Sequence, residues 1–169
     1  MKKTPADQTP GAPQAKPRPA PSGEAGRARL GGHGVEALLF TCMDYRLLEP
    51  IALYMRRRGL ARRYDHVILA GASLGVLNDT FAGWAETFWQ HLDLSIRLHE
   101  IRRLMVMDHR DCGAYKTLLG RDFALDPEAE TQIHRRHLIG LRARATEKYP
   151  DLAVDLLLMG LDGKVETIA

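Results

Sequence analysis

Residues 102–113 read Arg102-Arg103-Leu104-Met105-Val106-Met107-Asp108-His109-Arg110-Asp111-Cys112-Gly113. The first half, 102–107, has the length and composition of a strand, and the polar half is the loop that follows it. The apolar run does not alternate with polar residues, so the strand is expected to be covered on both faces. Three other runs share this character: 35–41 (VEALLFT), 66–70 (HVILA) and 153–159 (AVDLLLM). Helical spacing separates them. Leu48, Ile51, Ala52 and Met55 recur at helical intervals, with Pro50 suited to a first turn and Gly59 to a stop. Phe81, Ala85, Phe88, Leu92 and Ile96 mark one face of a helix over about 79–99, beside Trp84 and Trp89 as core or dimer contacts. Ile133, Leu138, Leu141 and Ala145 mark another over about 127–148, opening at Asp126-Pro127. This alternation predicts right-handed crossovers and an α/β fold, a mainly parallel central sheet of about four strands flanked by helices.

The chain has 169 residues, enough for one domain. At 45% hydrophobic and 27% charged it has the balance of a soluble globular protein. The net charge of +3 is unevenly placed: residues 1–34 hold six Lys or Arg and two acids, the remainder 18 and 19. The body therefore carries no electrostatic signature of a nucleic-acid or membrane partner. Residues 1–34 also hold six of the nine prolines and six of the fifteen glycines, with only Met1 and Leu30 as large apolar residues. Such a segment is expected to be a disordered tail, either solubilising or a docking arm for a protein partner, ahead of an α/β domain at 35–169. No apolar run reaches the roughly 18 residues of a membrane span. Pro5, Asp7 and Pro10 stand where a signal peptide after Met1-Lys2-Lys3 needs apolar residues, so a cytoplasmic setting is expected. Two cysteines cannot build a disulfide scaffold; in a reducing compartment they are buried, catalytic or metal-bound.

In open α/β sheets, ligands sit beyond the carboxyl ends of strands where the strand order reverses. Both cysteines fall at such ends. Cys42 closes the first strand in Cys42-Met43-Asp44-Tyr45-Arg46, and Cys112 follows the third in His109-Arg110-Asp111-Cys112. Each motif alone has a bland reading: a buried thiol, a chance His-x-x-Cys, a surface ion pair. Together they offer two thiolates and an imidazole, a zinc donor set. With three strong donors the fourth position is open to water or to the carboxylate of Asp44, as in a catalytic site. Two thiolates neutralise the ion, so lowering the pKa of a bound water needs help from neighbouring groups. Asp44 can accept a hydrogen bond from that water, and Arg46 can hold Asp44 in a bidentate pair.

With these motifs the sequence resembles the β-class carbonic anhydrases over about residues 35–165. Their signature is Cys-x-Asp-x-Arg after the first strand and His-x-x-Cys-Gly after the third, matched here by Cys42, Asp44 and Arg46 and by His109, Cys112 and Gly113. The resemblance implies a divergent, short member of that class. It implies one Zn²⁺ per chain on Cys42, His109 and Cys112, with Asp44 and Arg46 as the catalytic dyad. The implied reaction is reversible hydration of carbon dioxide to bicarbonate by zinc-bound hydroxide. The implied assembly is a homodimer, or several dimers, with active sites near the subunit interface. In part of the family Asp occupies the fourth metal position, and that form would switch on as pH rises.

This chain departs from the pattern in three places. Tyr45 stands where a small residue is usual, the loop after the second strand reads Ala70-Gly71-Ala72-Ser73-Leu74-Gly75 without the usual Asn, and the folded part leaves little room for N-terminal helices. Two alternatives follow: hydrolysis of carbon disulfide or carbonyl sulfide on the same site, and a catalytically silent zinc-stabilised interaction module. A weaker one is nucleic-acid binding through the tail and Arg56, Arg57, Arg58, Arg62 and Arg63, which otherwise complement a helix C-terminus. Four smaller expectations concern single residues. His134 and His137 share a solvated, arginine-flanked face. Ser73 offers an anion site through loop amides. Tyr115 and Lys116 line the site. Asp108 and Asp111 orient His109 or Arg110, or cap the loop.

Overall fold

A computed structural model describes residues 34–169 apart from Ala82 and Ala124. The expectation for residues 1–34 thus lies outside the described residues, Gly34 excepted. Five strands form one sheet: β1 (Ala37–Thr41), β2 (Tyr64–Ile68), β3 (Arg103–His109), β4 (Ala153–Met159) and β5 (Val165–Thr167), in the order β2-β1-β3-β4-β5. The first four are parallel and β5 is antiparallel to β4. The expected sheet of about four mainly parallel strands is present, extended by a short fifth. The short fifth strand returns through a tight turn in which Gly160 N–H donates to the Lys164 carbonyl and Gly163 takes φ +77°. Asp162-Gly163 is the sequence signal of that hairpin.

The apolar runs divide between two layers with the strand's period of two. Leu38, Phe40, Leu104, Val106, Leu156 and Leu158 face one way, onto Phe88 and Leu92 of α3 (Trp84–His99) and Leu138, Leu141 and Ala145 of α5 (Pro127–Lys148). Ala37, Leu39, Met105, Met107, Leu157 and Met159 face the other, onto Leu47, Ile51 and Met55 at α1 (Leu48–Arg57). A continuous apolar run is what a strand sandwiched by two helical layers requires. Phe40 and Phe88 meet with ring centroids 4.4 Å apart at the centre of the larger layer.

The ends of α5 match expectation because the cap is explicit: the Asp126 side chain accepts from Ala129 N–H at 3.0 Å and Pro127 takes the first turn. The helix expected over 79–99 starts later. Asn78 Oδ1 accepts from Thr80 N–H at 2.8 Å in a local turn, and Gly83 (φ +93°) precedes the first helical residue, Trp84. Two short helices, α2 (Ser73–Leu77) and α4 (Gly113–Leu119), lie after β2 and β3. The second strand lies two residues earlier than its apolar content predicts, because an edge strand alternates between half-buried and exposed positions.

The chain leaves β1 toward β2 by way of α1, then crosses the other face through α2 and α3 to β3. The strand order reverses between β1 and β3. The carboxyl ends of these two neighbours make the crevice where α/β sheets hold ligands.

Candidate metal centre

Cys42 is the residue after β1, His109 is the last of β3, and Cys112 precedes α4. Their donor atoms all lie within 4.8 Å of one another, and each residue is buried. The two Sγ atoms are 3.9 Å apart. Two thiolates on one tetrahedral zinc at about 2.3 Å would stand about 3.8 Å apart. The imidazole is oriented for the same task. Its Nδ1 is 2.8 Å from the Arg110 carbonyl, which takes the Nδ1–H and leaves the Nε2 lone pair facing the sulfurs. Nε2 is buried with no hydrogen-bond partner. An orphaned buried acceptor beside two thiols fits a soft or borderline divalent cation.

The sulfurs are not equivalent. Cys42 accepts from Cys112 and from the Gly71 N–H at 3.2 Å, and these donors, with the neighbouring His109 ring, outweigh burial to hold its thiol well below the usual range. Cys112 is driven the opposite way, first by the Cys42 sulfur it donates to and then by burial. For His109, burial alone would favour the neutral ring, but the nearby Cys42 sulfur prevails and raises its pKa.

The spacing Cys42-x-Asp44-x-Arg46 has a local cause. Asp44 caps a 3-10 turn (Tyr45–Leu47), its Oδ1 accepting from Arg46 N–H at 3.0 Å. The Arg46 side chain folds back on the same carboxylate, Nε to Oδ1 at 3.0 Å and Nη2 to Oδ2 at 2.7 Å. This fork brings the Asp44 carboxyl down to about 2. Asp44 Oδ2 stands 3.9 Å from His109 Nε2, beside the three donors.

Arg46 is itself gripped from β3's loop. Its Nη1 reaches Asp111 Oδ2 at 2.8 Å and its Nη2 the Asp111 carbonyl at 3.0 Å. Lys116 pairs with the same carboxylate at 3.1 Å. Asp111, in the left-handed region at φ +54°, donates its N–H to Glu130 Oε1 of α5 at 2.6 Å. Arg110 joins that support through Glu130 and Glu166. Asp111 therefore orients Arg46, not Arg110 or His109.

Three smaller expectations are corrected. His134 is buried, not solvated, and its Nδ1 is 3.0 Å from Asp108 Oδ2. Ser73 is also buried, and its amide and hydroxyl serve Asp108 rather than an external anion. Tyr115 packs behind the site, its hydroxyl donating to Asp108 at 2.7 Å. Asp108 thus collects four donors. Burial pushes its carboxyl up, but the hydrogen bonds from His134, Ser73 and Tyr115 outweigh it and keep the group ionised. Cys42, Asp44, Ala70, Trp84, Ala114 and Leu118 are among the residues lining a cavity of about 470 Å³, which the site meets at Cys42 and Asp44. Phe81 and Trp84 stack at its edge with centroids 4.3 Å apart.

Relatives place this architecture. A protein of Rickettsia conorii, itself uncharacterized, is 40% identical over 131 residues, spanning 78% of this chain and 70% of the relative. Among solved structures, β-carbonic anhydrase isoform I of Trichomonas vaginalis superposes with a TM-score of 0.54 at 18% identity, covering 80% of this chain and 82% of that one. The tetrameric β-carbonic anhydrases of Sordaria macrospora give 0.52 at 14% identity, covering 82% of each chain. Such likenesses establish the fold. A family model described as "Putative carbonic anhydrase" matches residues 33–138, and with that match the chain belongs to this carbonic anhydrase family.

Proposed function

We propose that this chain is a zinc-dependent carbonate dehydratase, interconverting carbon dioxide and bicarbonate. One observation carries the reading: three buried donors, Cys42, His109 and Cys112, converge beside a carboxylate, Asp44, that an arginine holds in place. Cys42, His109 and Cys112 would hold zinc, which would supply a Lewis acid able to lower the pKa of water toward neutrality. The protein's part is to place everything else. Asp44 stays ionised far below neutrality, so it acts as a permanent hydrogen-bond acceptor that orients the attacking oxygen. Arg46 fixes the carboxylate's plane through two parallel hydrogen bonds. Ala70, Ala114 and Leu118 give the cavity apolar walls, against which a small, weakly solvated molecule such as carbon dioxide can rest.

The two cysteines are free thiols, the state a metal site needs and a reducing cytoplasm maintains. Among the described residues, no helix is long and apolar enough to cross a membrane. Met43 and Tyr45, which line the cavity, and Leu48 at the start of α1 are exposed, with Tyr45 82% exposed. These exposed apolar side chains are a surface that a second copy of the chain would bury, and they support our placing the active unit as a homodimer or an assembly of dimers.

The test is stopped-flow hydration of carbon dioxide by the full chain at measured zinc content. Cys42→Ser and His109→Ala should lose the metal together with turnover. Asp44→Ala should keep the metal and lose turnover. Hydration by zinc-free Cys42→Ser would refute the assignment. Stoichiometric zinc with no hydration, but with release of sulfide from carbonyl sulfide, would transfer the site to the sulfur analogues.

A further inference from the structure

Behind the metal donors, the turn that joins β2 to α2 is held in a conformation its sequence does not favour. Ala72 takes φ +39° and ψ −105°, a combination an L-residue keeps only when its surroundings over-determine it. The neighbouring Gly71 (φ +73°) directs its N–H to Cys42 Sγ at 3.2 Å. The residue on the other side, Ser73, is gripped twice by one carboxylate: its N–H by Asp108 Oδ1 at 3.1 Å and its hydroxyl by Asp108 Oδ2 at 2.6 Å. Asp108 cannot swing to follow a relaxing turn. It is 1% exposed, anchored by Tyr115 of α4 and His134 of α5 and by its place in β3.

We infer that Asp108 is a positioning residue of the metal centre: its double grip on Ser73 holds the strained Ala72 turn, and so aims the Gly71 amide at the Cys42 sulfur. The inference rests on the reading of Cys42 as a metal ligand. An N–H directed at a coordinating thiolate withdraws electron density from sulfur and fixes the ligand's direction. The side chain that controls this contact lies one residue from His109 in sequence, yet reaches Cys42 only through the 71–73 turn. Released from Asp108, Ala72 would relax toward an ordinary backbone conformation and carry the Gly71 N–H away.

This route makes a specific demand. If the grip works by holding Ala72 in strain, a residue that adopts the same backbone angles freely should make the grip dispensable. Glycine is that residue. The experiment uses the full chain loaded with Co²⁺ in place of zinc, read by the thiolate-to-cobalt absorption band and by chelator competition. Asp108→Asn should weaken cobalt binding about 10- to 100-fold and move the band to longer wavelength. Ser73→Ala, which removes only the hydroxyl half of the grip, should give a smaller change in the same direction and guards against a variant that does not fold. Adding Ala72→Gly to Asp108→Asn should restore the band and most of the affinity. Parent-like binding and an unshifted band in both single variants would overturn the inference. So would weakened binding that Ala72→Gly leaves unrepaired, because Asp108 would then support the fold generally rather than the turn. A parent chain that binds no cobalt would overturn the metal-centre reading itself, and the inference with it.

Discussion

Replacing Arg46 separates the geometry of the dyad from its charge. Arg46→Gln removes the fork on Asp44 and both contacts to Asp111. These groups are part-exposed, the Arg46 side chain at 34% and Asp111 at 38%, so each pair is worth at most about 1 kcal/mol. The summed loss of about 1–2 kcal/mol should lower Tm by only a few degrees in a domain of this size. The effect on turnover should be much larger. Without Arg46 the Asp44 carboxylate is free to rotate, and a displacement of about 1 Å at a reacting centre costs on the order of 10²-fold, close to 2.7 kcal/mol of barrier. Protonation cannot be the cause. Asp44 would rise from about 2 only toward its ordinary value near 3.9 and remain ionised at neutral pH. The loss should therefore be the same across about pH 6 to 9. Arg46→Lys keeps the charge but not the fork, and should recover Tm without recovering rate. The assay is stopped-flow hydration at equal zinc content, with thermal unfolding alongside. Turnover within about threefold of the parent in either variant would refute the dyad's role as a geometric device.

Two further outcomes concern the metal donors and the packing of α2. Metal binding near neutral pH must expel the proton that Cys112 keeps, and on the acid side also the one that the Cys42 charge holds on His109, whereas Cys42 is already ionised. Acid should therefore weaken binding by about 10- to 100-fold per pH unit, measured by chelator competition, and a change under about twofold per unit would contradict these charge states. Gly75→Ala would set a Cβ against the Ala70 carbonyl oxygen and 3.2 Å from the Trp84 ring, so it should cost about 1–3 kcal/mol and lower Tm by several degrees in a thermal melt; an unchanged Tm would mean that α2 shifts without resistance.

The sheet was legible because its strands are buried on both sides. Residues 153–159 need apolar side chains at nearly every position to serve two helical layers, and the run coincides with β4 to the residue. Legibility failed where burial is partial or the element is short. Tyr64–Ile68 is an edge strand whose alternating exposure blurs its limits. Ser73–Leu77 and Gly113–Leu119 are too short for helical periodicity to register, and what fixes them is tertiary: the Asp108 grip at one and the Cys112 turn at the other. Trp84 begins α3 because Asn78 and Gly83 shape the loop before it, whereas the apolar stripe alone would continue back through Phe81.

The site divides along the same line. Cys42, Asp44, Arg46, His109 and Cys112 are neighbours within two short motifs, and the topological switch between β1 and β3 suffices to bring those motifs together. The support behind them comes from residues distant in sequence. Glu130 on α5 steadies the Asp111 amide, and His134, one helical turn further on, reaches Asp108. Read as a helix surface, that stretch is arginine-rich and polar, and no periodic pattern distinguishes Glu130 and His134 from the solvated residues around them. A signal did exist on the other side of the contact. Asp108 directly follows Leu104-Met105-Val106-Met107 in a strand covered on both faces, and a carboxylate there must find buried donors or destabilise the fold. The requirement could be read from the sequence, but its answer could not. A buried acid states how many donors it needs, and only the packing of α2, α4 and α5 decides that Ser73, Tyr115 and His134 supply them.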